Sequence, residues 1–194
     1  MKPLKLVFVA AVVALAGACS STPPAQNFPP VTYSQLGTIP LDVRSVEVVW
    51  AYSMPYAPPN VEHLFPTPPG VAAERWAKDR LKPVGREGVA KFIIRDASVV
   101  QQKLSKTGGV AGAFTTDQSD RYVATLRVEL VANDDVGARE GKVTAGADLT
   151  QTVAENATLN DLERTWYGMS QQLMKQLNDQ LESGIKTYLR PFTR

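Results

Sequence analysis

The 194-residue chain predicts an α+β fold: a β-α-β-β-β-α sandwich with a mostly antiparallel four-stranded sheet and two helices on one face. Three observations carry this reading. Residues 121–130 and 142–150 alternate apolar and polar side chains with period two, the mark of half-buried strands. Residues 162–188 carry an apolar stripe at steps of three and four, the mark of an amphipathic helix. The composition, 44% apolar and 21% charged, is that of a globular chain and excludes a disordered tail, a collagen-like fibre and a disulfide scaffold.

In chain order, Leu41 to Val43 and Val46 to Trp50 are rich in β-branched residues and predict the first strand, with a bulge or register change near Ser45. Between Ser53 and Gly70 stand Pro55, Pro58, Pro59, Pro66, Pro68 and Pro69, a density that forbids a central strand or helix interior, so a loop is expected. Residues 70–81 predict a short helix with Ala73, Trp76, Ala77 and Leu81 on one face, stopped by Pro83 and Gly85. Ala90, Phe92 and Ile94 alternate with Lys91 and Arg95 in a second strand. In the third strand Tyr122, Ala124, Leu126, Val128 and Leu130 point one way, and in the fourth Val143, Ala145, Ala147 and Leu149 do so. Residues 133–137 join these two as a hairpin loop. Asn160 and Glu163 form a prospective capping box for the final helix, which runs through Leu173, Leu177 and Leu181 until Pro191 ends it. No internal repeat is present.

The N-terminus reads as an address. Lys2 and Lys5 precede an unbroken apolar run from Leu6 to Leu15, followed by small residues at 16–18, the layout of a secretory signal. A membrane-spanning helix needs about 20 apolar residues, more than this run holds. Leu15-Ala16-Gly17-Ala18-Cys19 resembles the bacterial lipobox, which implies cleavage after residue 18 and diacylglycerol on the Cys19 thiol. The rival reading is an unlipidated signal with an incidental cysteine. Cys19 is the only cysteine, and a lone thiol in an oxidising compartment is otherwise a liability. Two acyl chains make membrane residence stable. Ser20, in the place where aspartate marks inner-membrane retention among such lipoproteins, implies the outer membrane. Loss of residues 1–18 removes two lysines and no acid, which takes the formal charge from +2 to zero. The basic character thus belongs to the signal, and no nucleic-acid partner is expected. The division that follows is a signal over 1–18, a lipidated Ser/Pro-rich tether over 19–38, and one domain over 39–194.

Chemistry-bearing patterns are sparse. His63 is the only histidine, and it lies in the proline-rich loop without a Ser or Cys nucleophile motif beside it. One His and one Cys make no zinc site. Residues 106–112 are Gly-rich but do not follow a phosphate-loop order. Asp117, Asp120, Asp134 and Asp135 lack the spacing of a calcium loop and read as turn residues and solvated charges. Asn156 heads a glycosylation-type triplet that means little behind a bacterial signal. No catalytic residue, metal or cofactor is expected. Trp50, Tyr52, Met54, Tyr56 and Phe65, interleaved with prolines, are the candidate partner-contact residues, since such side chains carry interface energy. Their alternative is to fold back over the sheet.

With the lipobox, the tether and the strand–helix order together, the chain resembles small envelope lipoproteins of Gram-negative bacteria. Two families share this layout, the lipopolysaccharide-assembly lipoproteins and the auxiliary lipoproteins of ABC-type lipid transport. Glu74-Arg75-Trp76-Ala77 is similar to the start of the first helix in the auxiliary family, and residues 114–122 resemble a block of uncharacterised alphaproteobacterial lipoproteins. The resemblance implies an outer-membrane lipoprotein facing the periplasm, a non-catalytic accessory or adaptor in lipid or lipopolysaccharide transport or assembly, with an envelope protein as partner. The alternative is a tethered periplasmic ligand-binding domain or enzyme. No functional residue beyond Cys19 transfers, because layout alone does not establish function.

Overall fold

The computed structural model describes residues 26–105 and 117–193. The expected signal, Cys19, the Gly-rich run at 106–112 and residues 114–116 of the resembling block lie outside them. The elements run β1 (Ile39–Leu41), β2 (Ser45–Trp50), α1 (Pro69–Arg80), β3 (Leu81–Pro83), β4 (Val89–Asp96), β5 (Val99–Lys103), β6 (Gln118–Asn133), β7 (Glu140–Ala154) and α2 (Leu159–Tyr188). Among the described residues no helix is long and apolar enough to cross a membrane.

The two strands with the clearest alternation form the centre. β6 pairs with β7 along nearly its whole length, and β4 and β5 share its other side. β4 meets residues 127–133 of β6 and β5 meets 120–124, so the two lie end to end, separated by Ala97 and Ser98. Asp96 makes the break: its carboxylate accepts the Ser98 N–H at 2.9 Å, and the ladder shifts register beside it. The sheet is therefore five segments but four strands wide, with β2 outermost.

Three expectations are corrected here. The sheet is mostly antiparallel, with three of its four pairings so, but it is mixed, because β2 is parallel to β4. The crossover through α1 returns the chain to the same end of the sheet, and a crossover of that length is what parallel pairing requires. The expected first strand is two strands. β1 leaves the main sheet to pair with β3, while the Asp42 N–H donates to the Phe192 carbonyl at 2.7 Å. Finally, α2 is capped two residues earlier than Asn160. Thr158 adopts extended backbone and accepts the Asp161 N–H, and the Asp161 carboxylate accepts the Thr158 N–H. Both pairs satisfy the same spacing; only Thr158 sits at the turn from extended to helical backbone.

Side chains of one sheet face are buried beneath both helices. Phe92, Leu126 and Leu130 meet Trp76 of α1 and Leu173 and Leu177 of α2 in the core. The Trp76 and Phe92 rings lie 5.7 Å apart. The opposite face stays in water, and its long side chains pair across strands, Arg95 and Lys142 with Glu129 and Arg127 with Asp148. Burial raises the Glu129 pKa, but the bonds from Arg95 and Lys142 outweigh it and hold the carboxyl below its ordinary value. Antiparallel strands tolerate one solvated face.

At the β7 edge, the Gln180 amide of α2 accepts the Gly146 N–H at 3.0 Å and donates to the Gly146 carbonyl at 2.8 Å. That occupies edge groups which would otherwise invite another strand.

Residues 26–38, expected to act as tether, lie against the helices. The Phe28 ring sits 4.9 Å from Tyr167, whose hydroxyl donates to the Pro29 carbonyl. Further on, the Thr32 hydroxyl and the Tyr33 N–H both donate to Asp79 of α1. Phe28 and Tyr33 give a proline-rich run something to pack, which is why it docks.

Candidate functional site

The segment from Trp50 to Phe65, which carries the five candidate contact residues, divides into a base and a tip. Phe65 closes the base. It is 4% exposed and stacks on Trp166 of α2 at 5.2 Å, and Trp166 meets the edge of Tyr122. Phe65 is thus a core residue. Burial, with Asp120 adding to it, pushes the Tyr122 phenol up to about 12.

Tyr52 is bound into the base through a buried carboxylate. Glu62 is fully buried, and it accepts the Val99 N–H at 3.0 Å and the Tyr52 hydroxyl. Asn60 approaches the same carboxylate at 3.4 Å. Burial raises the Tyr52 phenol well above its ordinary pKa, and the bond to Glu62 raises it further. The phenol therefore stays protonated and donates. A carboxylate surrounded by donors in this way is a structural knot: it ties the loop to the first residue of β5. The backbone follows suit, with Val61 donating to Val99 and Gln101 to Pro59.

Trp50 is 38% exposed. Its indole N–H donates to Glu74 of α1 at 3.0 Å, and its ring covers Gly70, where a Cβ would stand 2.6 Å from the ring carbons. Gly70 is required there because any side chain would lift the indole away. One edge of Trp50 is packing, and the other meets water.

The tip is what remains accessible. Met54 is half-buried, Tyr56 is 71% exposed and Leu64, in the short helical turn Glu62–Leu64, is 52% exposed. Tyr56 has a φ of 55°, an unusual backbone for a residue other than glycine. Its ring lies 5.6 Å from that of His63. Leu64 escaped the sequence reasoning because a lone leucine in a loop resembles any core residue.

Among the described residues, no acid or nucleophile is bonded to His63, and its Nδ1 is buried without a partner. The aspartates have structural tasks. Asp120 accepts from Lys103, Gln101 and Ser119, Asp134 accepts the N–H groups of Ala138 and Arg139, and Asp135 pairs with Arg44. No group of three His, Cys, Asp or Glu among the described residues is arranged to hold a metal.

Sequence reasoning also missed four buried charges: Glu62 and Arg80, and Asp120 and Asp134, which were expected as solvated turn residues but are buried, Asp120 within β6. Nothing in the pattern around Glu62 signals burial. Arg80 had a signal, since it stands four residues after Trp76 on the apolar face of α1. Its guanidinium donates to Asn178 at 2.9 Å and to Glu182 at 2.8 Å, joining α1 to α2.

No protein-family model and no curated protein matches the chain. Among solved structures, the chain is similar to the crystal structure of rare lipoprotein B from Shewanella oneidensis. The two are 14% identical with a TM-score of 0.37, over 74% of this chain and 96% of that one.

Proposed function

We propose that this chain is a lipid-anchored, non-catalytic accessory protein of the Gram-negative envelope, held by an acylated Cys19 in the outer membrane and facing the periplasm. In that reading it joins a partner protein in lipid or lipopolysaccharide transport or assembly. The anchor rests on the charged, apolar and small-residue succession at residues 1–18 and on the position of the single cysteine.

The observation that supports an adaptor role is the tip at Met54, Tyr56 and Leu64. It presents amphipathic side chains on a backbone stiffened by Pro55, Pro58 and Pro59 and rooted at both ends in the core. A contact surface that is already ordered loses little entropy on binding, so its aromatic and aliphatic groups contribute more net affinity.

The direct test has two arms. Metabolic labelling with a palmitate analogue is expected to mark the wild-type chain and not Cys19→Ser; equal labelling of both ends the lipoprotein reading. Crosslinking in cells, followed by identification of the captured protein, is expected to return one envelope partner that a Met54→Ser/Tyr56→Ser/Leu64→Ser chain no longer captures. Retained capture by that variant would move the contact surface elsewhere.

A further inference from the structure

We propose that the open cavity between β1, the end of α1 and the last turns of α2 is a binding site for a phosphate group. The cavity measures about 450 Å³. Arg80, Lys186 and Arg190 line it, with Glu182 as the one acid. Leu36, Ile39 and Ile185 supply an apolar wall. This site lies apart from the loop tip of the adaptor reading and does not depend on it.

The charge arrangement carries the argument. Glu182, Lys186 and Arg190 follow at steps of four, so Glu182 and Lys186 share one face of α2, and Arg190 continues it in the turn beyond. A glutamate four residues before a lysine on a helix ordinarily pairs with it. Here the Glu182 carboxylate turns inward to Arg80 at 2.8 Å instead. Among the described residues, neither Lys186 nor Arg190 has an ion-pair partner.

Arg80 adds the buried element. Its side chain is 4% exposed, it is held in one orientation by Asn178 and Glu182, and its Nε has no hydrogen-bond partner. A buried donor without an acceptor is costly and uncommon in a folded protein. The negative end of the α2 dipole explains one cation in the last turn. It does not explain a second in the turn beyond, and Asn178 and Glu182, which account for the burial of Arg80, leave its Nε–H without an acceptor. Three cations against one carboxylate leave a positive cavity, and guanidinium groups suit phosphate because their planar donors match its oxygens. The apolar wall admits a phosphate carried on a lipid as readily as the free ion.

The test uses the full chain in neutral-detergent micelles, with the Nε–H signals of Arg80 and Arg190 followed by NMR. Inorganic phosphate is one probe; phosphatidylglycerol or phosphatidylcholine doped into the micelles is the other. The expected result is a saturable shift with phosphate, with phosphatidylglycerol, or with both. Lys186→Gln/Arg190→Gln should weaken it roughly tenfold or more, and Lys186→Arg/Arg190→Lys should retain it. Both residues are exposed, so melting temperatures should hardly move. Saturation by phosphatidylglycerol but not phosphatidylcholine, at tenfold lower concentration than phosphate, assigns the group to a lipid. Saturation by phosphate alone assigns it to the free ion. No saturable shift with either anion, or unchanged binding by the Gln variant, overturns the proposal.

Discussion

At the base of the segment between β2 and α1, Phe65 is packed on Trp166, and Tyr52 and the Val99 N–H converge on the buried Glu62. A few residues away, Tyr56 and Leu64 stand in solvent. The same class of side chain, large and partly apolar, therefore serves two purposes within one loop. The prolines explain how the two coexist. They forbid helix and central strand, so the loop cannot hide its apolar groups by regular pairing and instead plugs in those that reach the core. What is left outside is held rigid by what is inside. An aromatic cluster in a sequence is thus not one surface; its members must be assigned one at a time.

The largest expected effect that would break this comparison comes from the base. Phe65→Ala should destabilise the fold by about 3–5 kcal/mol, the range for truncating a buried aromatic. Denaturant unfolding measures it, and a loss below about 1 kcal/mol would put Phe65 in the same class as the tip. Next comes the carboxylate. Glu62→Ala leaves the buried Val99 N–H without an acceptor and should cost about 1–3 kcal/mol. Hydrogen exchange at the Val99 amide should accelerate in the same variant, and unchanged protection would show that Glu62 is not its acceptor in solution.

Tyr52→Phe removes the hydrogen bond donated to Glu62 and a long one accepted from Asn60, and should cost about 1 kcal/mol. Its pH dependence sharpens the point. The folded-state pKa of the Tyr52 phenol is raised above its unfolded value, so unfolding releases a proton once the unfolded phenol ionises. The stabilisation is therefore complete below about pH 10 and is lost as pH rises above it. The wild-type chain should lose stability from there upward more steeply than Tyr52→Phe, and parallel curves would contradict the bond to Glu62.

The smallest effect belongs to the tip. Met54→Ser, Tyr56→Ser and Leu64→Ser should each move stability by no more than about 0.5 kcal/mol, with Met54 the largest because it is half-buried. A large drop in melting temperature for the triple variant would return the tip to the core and leave the adaptor reading without its surface.

Legibility followed the range of the interactions. The buried faces of β6 and β7 and the apolar stripe of α2 could be read residue by residue, because alternation and helical periodicity are local consequences of which face is buried. The parallel placement of β2, the detour of β1 to β3 and the end-to-end sharing of β6 by β4 and β5 could not. Each depends on which distant strand supplies the partner. Among the candidate contact residues, the sequence separated none from another. Phe65 is core because Trp166, about a hundred residues later, provides a ring to stack on.

By itself, then, the amino-acid order determined the class of fold and the positions of its central strands and long helix. These are written in composition and short-range period, which need no partner to be recognised. Tertiary structure alone decided that Glu62 and Arg80 are buried, that residues 26–38 dock on the helices, and that Glu182 abandons Lys186 for Arg80. A charge goes into the interior only when donors or acceptors from other elements meet it there. Those partners, Val99 for Glu62 and Asn178 and Glu182 for Arg80, are brought together by the fold.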